Sequence, residues 1–147
     1  MDIQLKDVTE KNFFEVIALK SDKDQEKYFQ IYERWVGSNA FFLAACQTFG
    51  FKPRAVYDGT QLIGFASHGF RNETGRHELI SMMLGHAFQG KGYGVPVLKA
   101  IIEEMKEAYQ PEEIYLAGIQ IFLLYCCPLN PASIFYIKSA YSRNSQL

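Results

Sequence analysis

Cysteine is scarce in this chain of 147 residues, and the three present, Cys46, Cys126 and Cys127, form no framework. An odd count with two adjacent members excludes a disulfide-stapled scaffold, and no Cys-x-x-Cys pair offers the usual zinc spacing. Idle or buried thiols in a reducing cytoplasm account for them. A basic excess is missing too: 15 Lys and Arg stand against 16 Asp and Glu, a net charge of −1. Nucleic-acid binders usually carry a basic surplus, so no nucleic-acid partner is expected. The opening run MDIQLKDVTEKN lacks the apolar core of a signal peptide, and nothing in it argues for export. The longest apolar run, IYLAGIQIFLLYCCPL from Ile114 to Leu129, is interrupted by Gly118, Gln120 and Pro128. It also falls short of the ~20 residues that a spanning helix needs, and it reads as buried strand and connection with no membrane role.

What is there suits one globular domain over 1–147: 48% hydrophobic residues and 21% charged ones support a sizeable core. IQLKDV, Ile3 to Val8, alternates like a half-buried strand. Thr9 stands where a helix N-cap would, ahead of the helically spaced NFFEVIALK. After the charged break SDKDQEK a second helical stretch runs to FFLAACQTF, broken near Gly37 and Ser38. RAVY, Asp58-Gly59 and QLIGFASHGF then form a strong hairpin signal, since Asp-Gly suits a turn with positive φ. A further turn, RNETGR, leads to HELISMMLGHAF as a third strand. Beyond it comes a helix with Leu98, Ile101, Ile102, Met105 and Tyr109 on one face and Lys99, Glu103 and Lys106 off it. Pro111 ends that helix, and EEIYLAGI reads as a strand. Strand, two helices, three strands, helix, strand is the order of an α/β or α+β layered domain.

Between the third strand and the long helix stands AFQGKGYGVPV, with glycines at 90, 92 and 94. Glycine is costly in regular structure, so a cluster answers either a turn that needs positive φ or a ligand that needs bare backbone. A helix N-terminus with unobstructed N–H groups is a ready phosphate site. The stretch is not the Gly-x-x-x-x-Gly-Lys-Ser/Thr loop of nucleotide hydrolases, and the Gly-x-Gly-x-x-Gly fingerprint fails at Val95.

Gln89-Gly90-Lys91-Gly92-Tyr93-Gly94, placed between a strand and a helix and preceded by the VYDGTQLIGFASHG hairpin, resembles the acetyl-coenzyme A signature of the GNAT N-acetyltransferases. The resemblance runs from about Asp2 to Ile119 and is nearest to bacterial diamine and spermidine/spermine acetyltransferases. It implies a mixed, mostly antiparallel sheet flanked by helices, with acetyl-CoA as cosubstrate and no metal. The pyrophosphate would lie on the amides of Gln89, Gly90, Lys91, Gly92, Tyr93 and Gly94, with a screened attraction from Lys91. The pantetheine arm would pair with the backbone of Met82, Met83 and Leu84 as an added strand does.

Acetyl transfer to an amine of pKa near ~10.4 requires a base, and the departing thiolate benefits from an acid. The family's acid is a tyrosine in a pattern like Asn-x-x-Ala-Ile-x-x-Tyr-x-x-x-Gly-Phe. NPASIFYIKSAYS, Asn130 to Ser142, fits with one residue dropped, which makes Tyr136 the acid and Asn130 a cofactor contact. A core tyrosine is the other reading of Tyr136. The Trp-Leu-Asp-Arg run of the polyamine enzymes is replaced by Glu78-Leu79-Ile80-Ser81, so their aspartate and arginine are absent. Glu78 is then either a base acting through water or a solvated carboxylate. Glu26 and Glu33 lie on the helical region that lines the acceptor site in the family, where they could hold a cationic amine or simply face water. His68, His77 and His86 have no metal-ligand spacing and read as turn or surface residues.

After Glu113 the only charges are Lys138 and Arg143, so 120–147 departs from the family pattern that fits 1–119. A natural variation, a frame shift and a truncation all produce such a tail. An uncovered sheet edge there would favour a homo-oligomer, a dimer in the simplest case. Two functions follow. One is a cytoplasmic N-acetyltransferase acting directly on a small primary amine, a polyamine or diamine. The other is a weak or inactive CoA-binding domain with an assembly or sensing role.

Overall fold

The structure, a computed structural model, describes residues 1–20 and 38–116. Five strands form one sheet in the order β1-β2-β3-β4-β5: β1 (Ile3–Asp7), β2 (Lys52–Asp58), β3 (Gln61–Arg71), β4 (Arg76–Leu84) and β5 (Ile114–Leu116). The first four pair antiparallel and β5 runs parallel to β4. Helices α1 (Phe13–Ala18) and α2 (Asn39–Phe49) pack on one face, and α3 (Gly94–Tyr109) packs on the other. This is the layered, mostly antiparallel sheet that the resemblance implied. Among the described residues no helix is long and apolar enough to cross a membrane.

Local chemistry sets the element ends. Asp58 pairs with Gln61 across a two-residue turn in which Gly59 has φ 58°, so the Asp-Gly signal marks a real hairpin. The helix after β1 starts later than Thr9 suggests. Asn12 stands before it, accepting from the Thr9 N–H at 2.8 Å and donating from its amide to Asp7 O at 3.0 Å. The Thr9–Asn12 turn satisfies these groups before the helix begins, which is why Thr9 does not cap it. Ser38 does cap α2, its hydroxyl accepting the Phe41 N–H at 3.1 Å, so the expected break there is a true helix start.

The larger core lies between α3 and the sheet. Val97, Ile101, Ile102 and Met105 bury against Val56, Ile63, Ala66, Leu79, Met82, Leu84 and Ile114, with Leu98 and Tyr109 at its margin. The apolar stripe expected from spacing is thus the docking face. On the opposite face Val16 joins Ala55, Leu62 and Phe65 beneath Phe42 and Leu43.

A buried polar chain pins the C-terminal half of α3. Glu104 meets Arg54 Nη2 at 2.9 Å and His68 Nε2 at 2.8 Å, while Tyr109 meets His68 Nδ1 at 2.9 Å. Arg54 also donates to Leu5 O at 2.7 Å and pairs with Asp7, so the chain reaches β1. A carboxylate only accepts, so the neutral imidazole donates from Nε2 to Glu104 and accepts from the Tyr109 hydroxyl at Nδ1. His68 is 0% exposed, which corrects its reading as a turn or surface residue. Alternation along β3 turns it under α3, where Tyr109 and Glu104 offer it partners.

Burial pushes His68 below the ordinary 6.5, against the upward pull of Glu104 and with a smaller downward push from Lys52 and Arg54. The unfolded chain therefore binds this proton more readily than the folded one. His68 contributes its full stability above 6.5, and loses it as pH falls toward the folded value. Unfolding in urea at about pH 7.5 and about pH 5.5 should show stability dropping with acid, and His68→Gln should flatten part of that drop. An unchanged slope in the variant would contradict this assignment.

Candidate active site

The site grows from two features of β4. Ser67 pairs with Ser81 but His68 pairs with Leu79, which leaves Ile80 as a bulge. The bulge resets the alternation. Leu79, Met82 and Leu84 join the α3 core, and Glu78, Ser81 and Met83 face the side of α1 and α2. The second feature is the free edge. Parallel pairing with β5 covers His77 to Leu79, and beyond that no described strand lies against β4 on this side.

Strand alternation also sorts the backbone beyond the bulge. Gly85 N–H donates to Ile63 O at 2.9 Å, so the main-chain groups of Met83 turn toward Phe65, and those of Met82 and Leu84 turn to the open edge. The Leu84 carbonyl already accepts from the Gln89 side chain at 2.9 Å. Met82 and the Leu84 N–H are therefore the edge groups, and Met83 sends its side chain to the α1/α2 face.

After Leu84 the chain makes a 3₁₀ turn, His86–Phe88, then the glycine loop, then α3. The His86 N–H donates to Lys20 O at 2.8 Å, which sets the end of α1 against the start of the loop. Gly90 and Gly92 have φ of 71° and 84°, so the backbone needs glycine there. Both also face space: a Cβ at Gly90 would meet nothing within 4 Å, and one at Gly92 only Met1 Cε at 3.9 Å. The turn requirement and the bare backbone hold together. Among the described residues, the N–H groups of Gly90, Lys91, Gly92, Tyr93 and Gly94 meet no hydrogen-bond acceptor. They lead into the N-terminus of a helix of 16 residues, where the dipole favours an anion. Gln89 differs, since its N–H is used by His86 O at 3.2 Å and its side chain ties the loop to β4.

Glu78 is 3% exposed, which rules out a solvated carboxylate. Arg71 Nη1 reaches its Oε2 at 3.1 Å and the Thr74 hydroxyl donates to its Oε1 at 2.7 Å. Both partners sit in or beside the RNETGR turn, whose role as a clamp the sequence did not reveal. Ser67 and Ser81 share a hydrogen bond of 2.6 Å on the same face, and the Ser67 hydroxyl contacts the Cys46 thiol of α2. Burial pushes that thiol up to about 11. Among the described residues no group of three or more His, Cys, Asp or Glu could hold a metal ion. Glu26, Glu33, Asn130 and Tyr136 lie outside the described residues, as do Cys126 and Cys127.

With this geometry in hand, the comparison with known proteins is specific. The model of the Acetyltransferase (GNAT) family matches residues 7–121. The chain belongs to the GNAT family. That places it among acetyl-CoA-dependent N-acetyltransferases, and the match spans β4 and the loop that follows it. It is similar to a spermine/spermidine N(1)-acetyltransferase of Bacillus subtilis, 29% identical over 123 residues that cover 80% of this GNAT chain and 77% of that protein. In fold it is similar to a spermidine N-acetyltransferase from Vibrio cholerae, solved with CoA and spermine. The TM-score is 0.58 at 15% identity, over 78% of this chain and 70% of that one. A ribosomal-protein-alanine N-acetyltransferase from Brucella melitensis gives a TM-score of 0.55 at 14% identity, covering 92% and 98%.

The loop geometry yields a stability expectation. Gly90→Ala forces a β-carbon onto a left-handed backbone and should cost about 1–2 kcal/mol, read by chemical denaturation. A variant as stable as the parent would mean the loop does not hold this conformation.

Proposed function

We propose that this GNAT enzyme moves the acetyl group of acetyl-CoA directly to a primary amine of a small molecule, a diamine or polyamine. One observation carries the cofactor part: among the described residues, five consecutive N–H groups, Gly90 to Gly94, stand unpartnered where the chain enters α3. The pyrophosphate is the anion that fits them, and Lys91, exposed in the loop, adds a screened positive charge. The pantetheine amides extend along the β4 edge, pairing with Met82 and the Leu84 N–H, which delivers the thioester toward the bulge at Ile80.

At the bulge, Glu78 and the Ser67–Ser81 pair face the α1/α2 side, from which the acceptor approaches. An alkylammonium with a pKa near ~10.4 must shed a proton before attack, and Glu78 acting through water is the base we assign. Its two held oxygens keep it in one orientation, at the cost of competing with the water for lone pairs. Tyr136 is proposed as the acid and Asn130 as a further cofactor contact, on the motif they match. Glu26 and Glu33 are proposed to attract the cationic acceptor. Cys46 is no acyl carrier, because a thiol held at about 11 stays protonated near neutrality. The polyamine assignment follows the substrates named for the Bacillus and Vibrio relatives.

Two measurements test the reading. Thiol release from acetyl-CoA, assayed against diamines, polyamines, amino acids and aminoglycosides, should be fastest with a diamine or polyamine. In that assay Glu78→Gln should lower kcat/KM by roughly 10²-fold. Turnover with none of these acceptors would favour a CoA-binding domain instead. Val95 is 46% exposed in the first turn of α3. Val95→Glu adds a negative charge where the dipole welcomes it, so the fold should hold while CoA affinity falls at least about tenfold through charge repulsion at the phosphate site. Undiminished CoA affinity in that variant would remove the pyrophosphate from this loop.

A further inference from the structure

A loop built on Gly90 and Gly92 has little intrinsic preference for one shape, and among the described residues the N–H groups of Gly90 to Gly94 make no hydrogen bond to hold it. Something else must keep it open. At its first residue the Gln89 side chain is fastened to Leu84 O at 2.9 Å. At its far end the Tyr93 ring packs edge-on against Phe88, with centroids 6.1 Å apart, and its hydroxyl donates to Asp58 Oδ2 at 2.7 Å. Asp58 belongs to the β2–β3 hairpin, 35 residues away in sequence. Its other oxygen, Oδ1, accepts the Asp2 N–H at 2.6 Å, and the Gly59 N–H donates to Asp2 O at 2.9 Å. One carboxylate thus knots the start of β1, the hairpin tip and the last turn of the loop.

The choice of side chain is informative. A carboxylate next to an anion site works against binding by charge alone. Only an acid, however, supplies two acceptor oxygens to two donors on opposite sides; an asparagine has one. The charge is tolerated because the geometry needs both oxygens. The Tyr93 hydroxyl, and then the Asp2 N–H, hold the Asp58 carboxyl below its ordinary 3.8, as expected when both donors favour the ionised form.

We propose that Asp58 is a positioning residue for the cofactor: through the Tyr93 hydroxyl it holds the glycine loop in the open shape that receives the pyrophosphate. Preorganisation of this kind raises affinity without touching the reacting atoms. The inference rests on the cofactor reading above.

The test is a double-mutant cycle on the full chain, with CoA binding followed by calorimetry and acetyl-CoA kinetics in parallel. Tyr93→Phe removes only the hydroxyl. It should raise the CoA Kd and the acetyl-CoA KM about five- to tenfold, the worth of one hydrogen bond, with kcat at saturation unchanged. Its melting temperature should move by no more than about 2–4 °C. Asp58→Ala should weaken binding at least as much, and the double variant should bind no more weakly than Asp58→Ala alone, because both changes break one interaction. Asp58→Asn, with one acceptor oxygen left, should fall between Asp58→Ala and the parent. Parental CoA affinity in Tyr93→Phe, or losses that simply add in the double variant, would overturn the proposal. A parent protein that binds no CoA would instead overturn the cofactor reading itself, so the two failures are distinct.

Discussion

The seating of α3 on the sheet is the constraint that everything functional inherits. Val97, Ile101, Ile102 and Met105 fill the face made by Val56, Ala66, Leu79, Met82 and Leu84. That burial fixes the axis of the helix and therefore the direction in which its first N–H groups point. Residues that bury Met82 and Leu84 under α3 also fix the strand whose outer edge those same residues present. The apolar core and the open edge proposed for the cofactor are two sides of one piece of backbone, with side chains serving the core and main-chain groups facing the edge.

Opposite ends of α3 carry opposite kinds of chemistry. At the N-terminal end, donors stand beside glycines without partners among the described residues, which suits the anion site proposed there. At the C-terminal end the side chains are paired in series, from Tyr109 through His68 and Glu104 to Arg54 and Asp7, although the buried Arg54 Nε meets no partner among the described residues. A helix proposed as an anion cradle needs an anchor that does not depend on the cradle, and this polar chain supplies one by linking α3 to β1, β2 and β3. Its directional contacts resist sliding along the sheet, something the apolar layer resists less well.

Much of this was legible beforehand. The Asp58-Gly59 hairpin follows from two residues whose turn geometry is almost obligatory, and the α3 stripe from a period that sheet packing did not disturb. The loop could be read because the φ angles at 90 and 92 demand glycine, and bare backbone there is what the proposed ligand would need. His68 was misread as exposed, and Glu78 was left open between a base and a solvated carboxylate, for a shared reason. A polar residue on a strand declares its face only once register and bulge are known, and the Ile80 bulge resets the faces of β4. The second role of Asp58 was hidden behind its first: an acid before a turn glycine explains itself, so nothing prompted a search for a distant donor.

Sequence alone determined the kinds of element, their order and the positive-φ glycine loop before α3, since each depends on contacts between near neighbours in the chain. Tertiary structure decided which β4 groups face the open edge, that Arg71 and Thr74 hold Glu78, and that Asp58 braces Tyr93 across 35 residues. Those outcomes depend on strand register and on loops brought together by folding, and no local pattern of residue types encodes a distance between segments far apart in sequence.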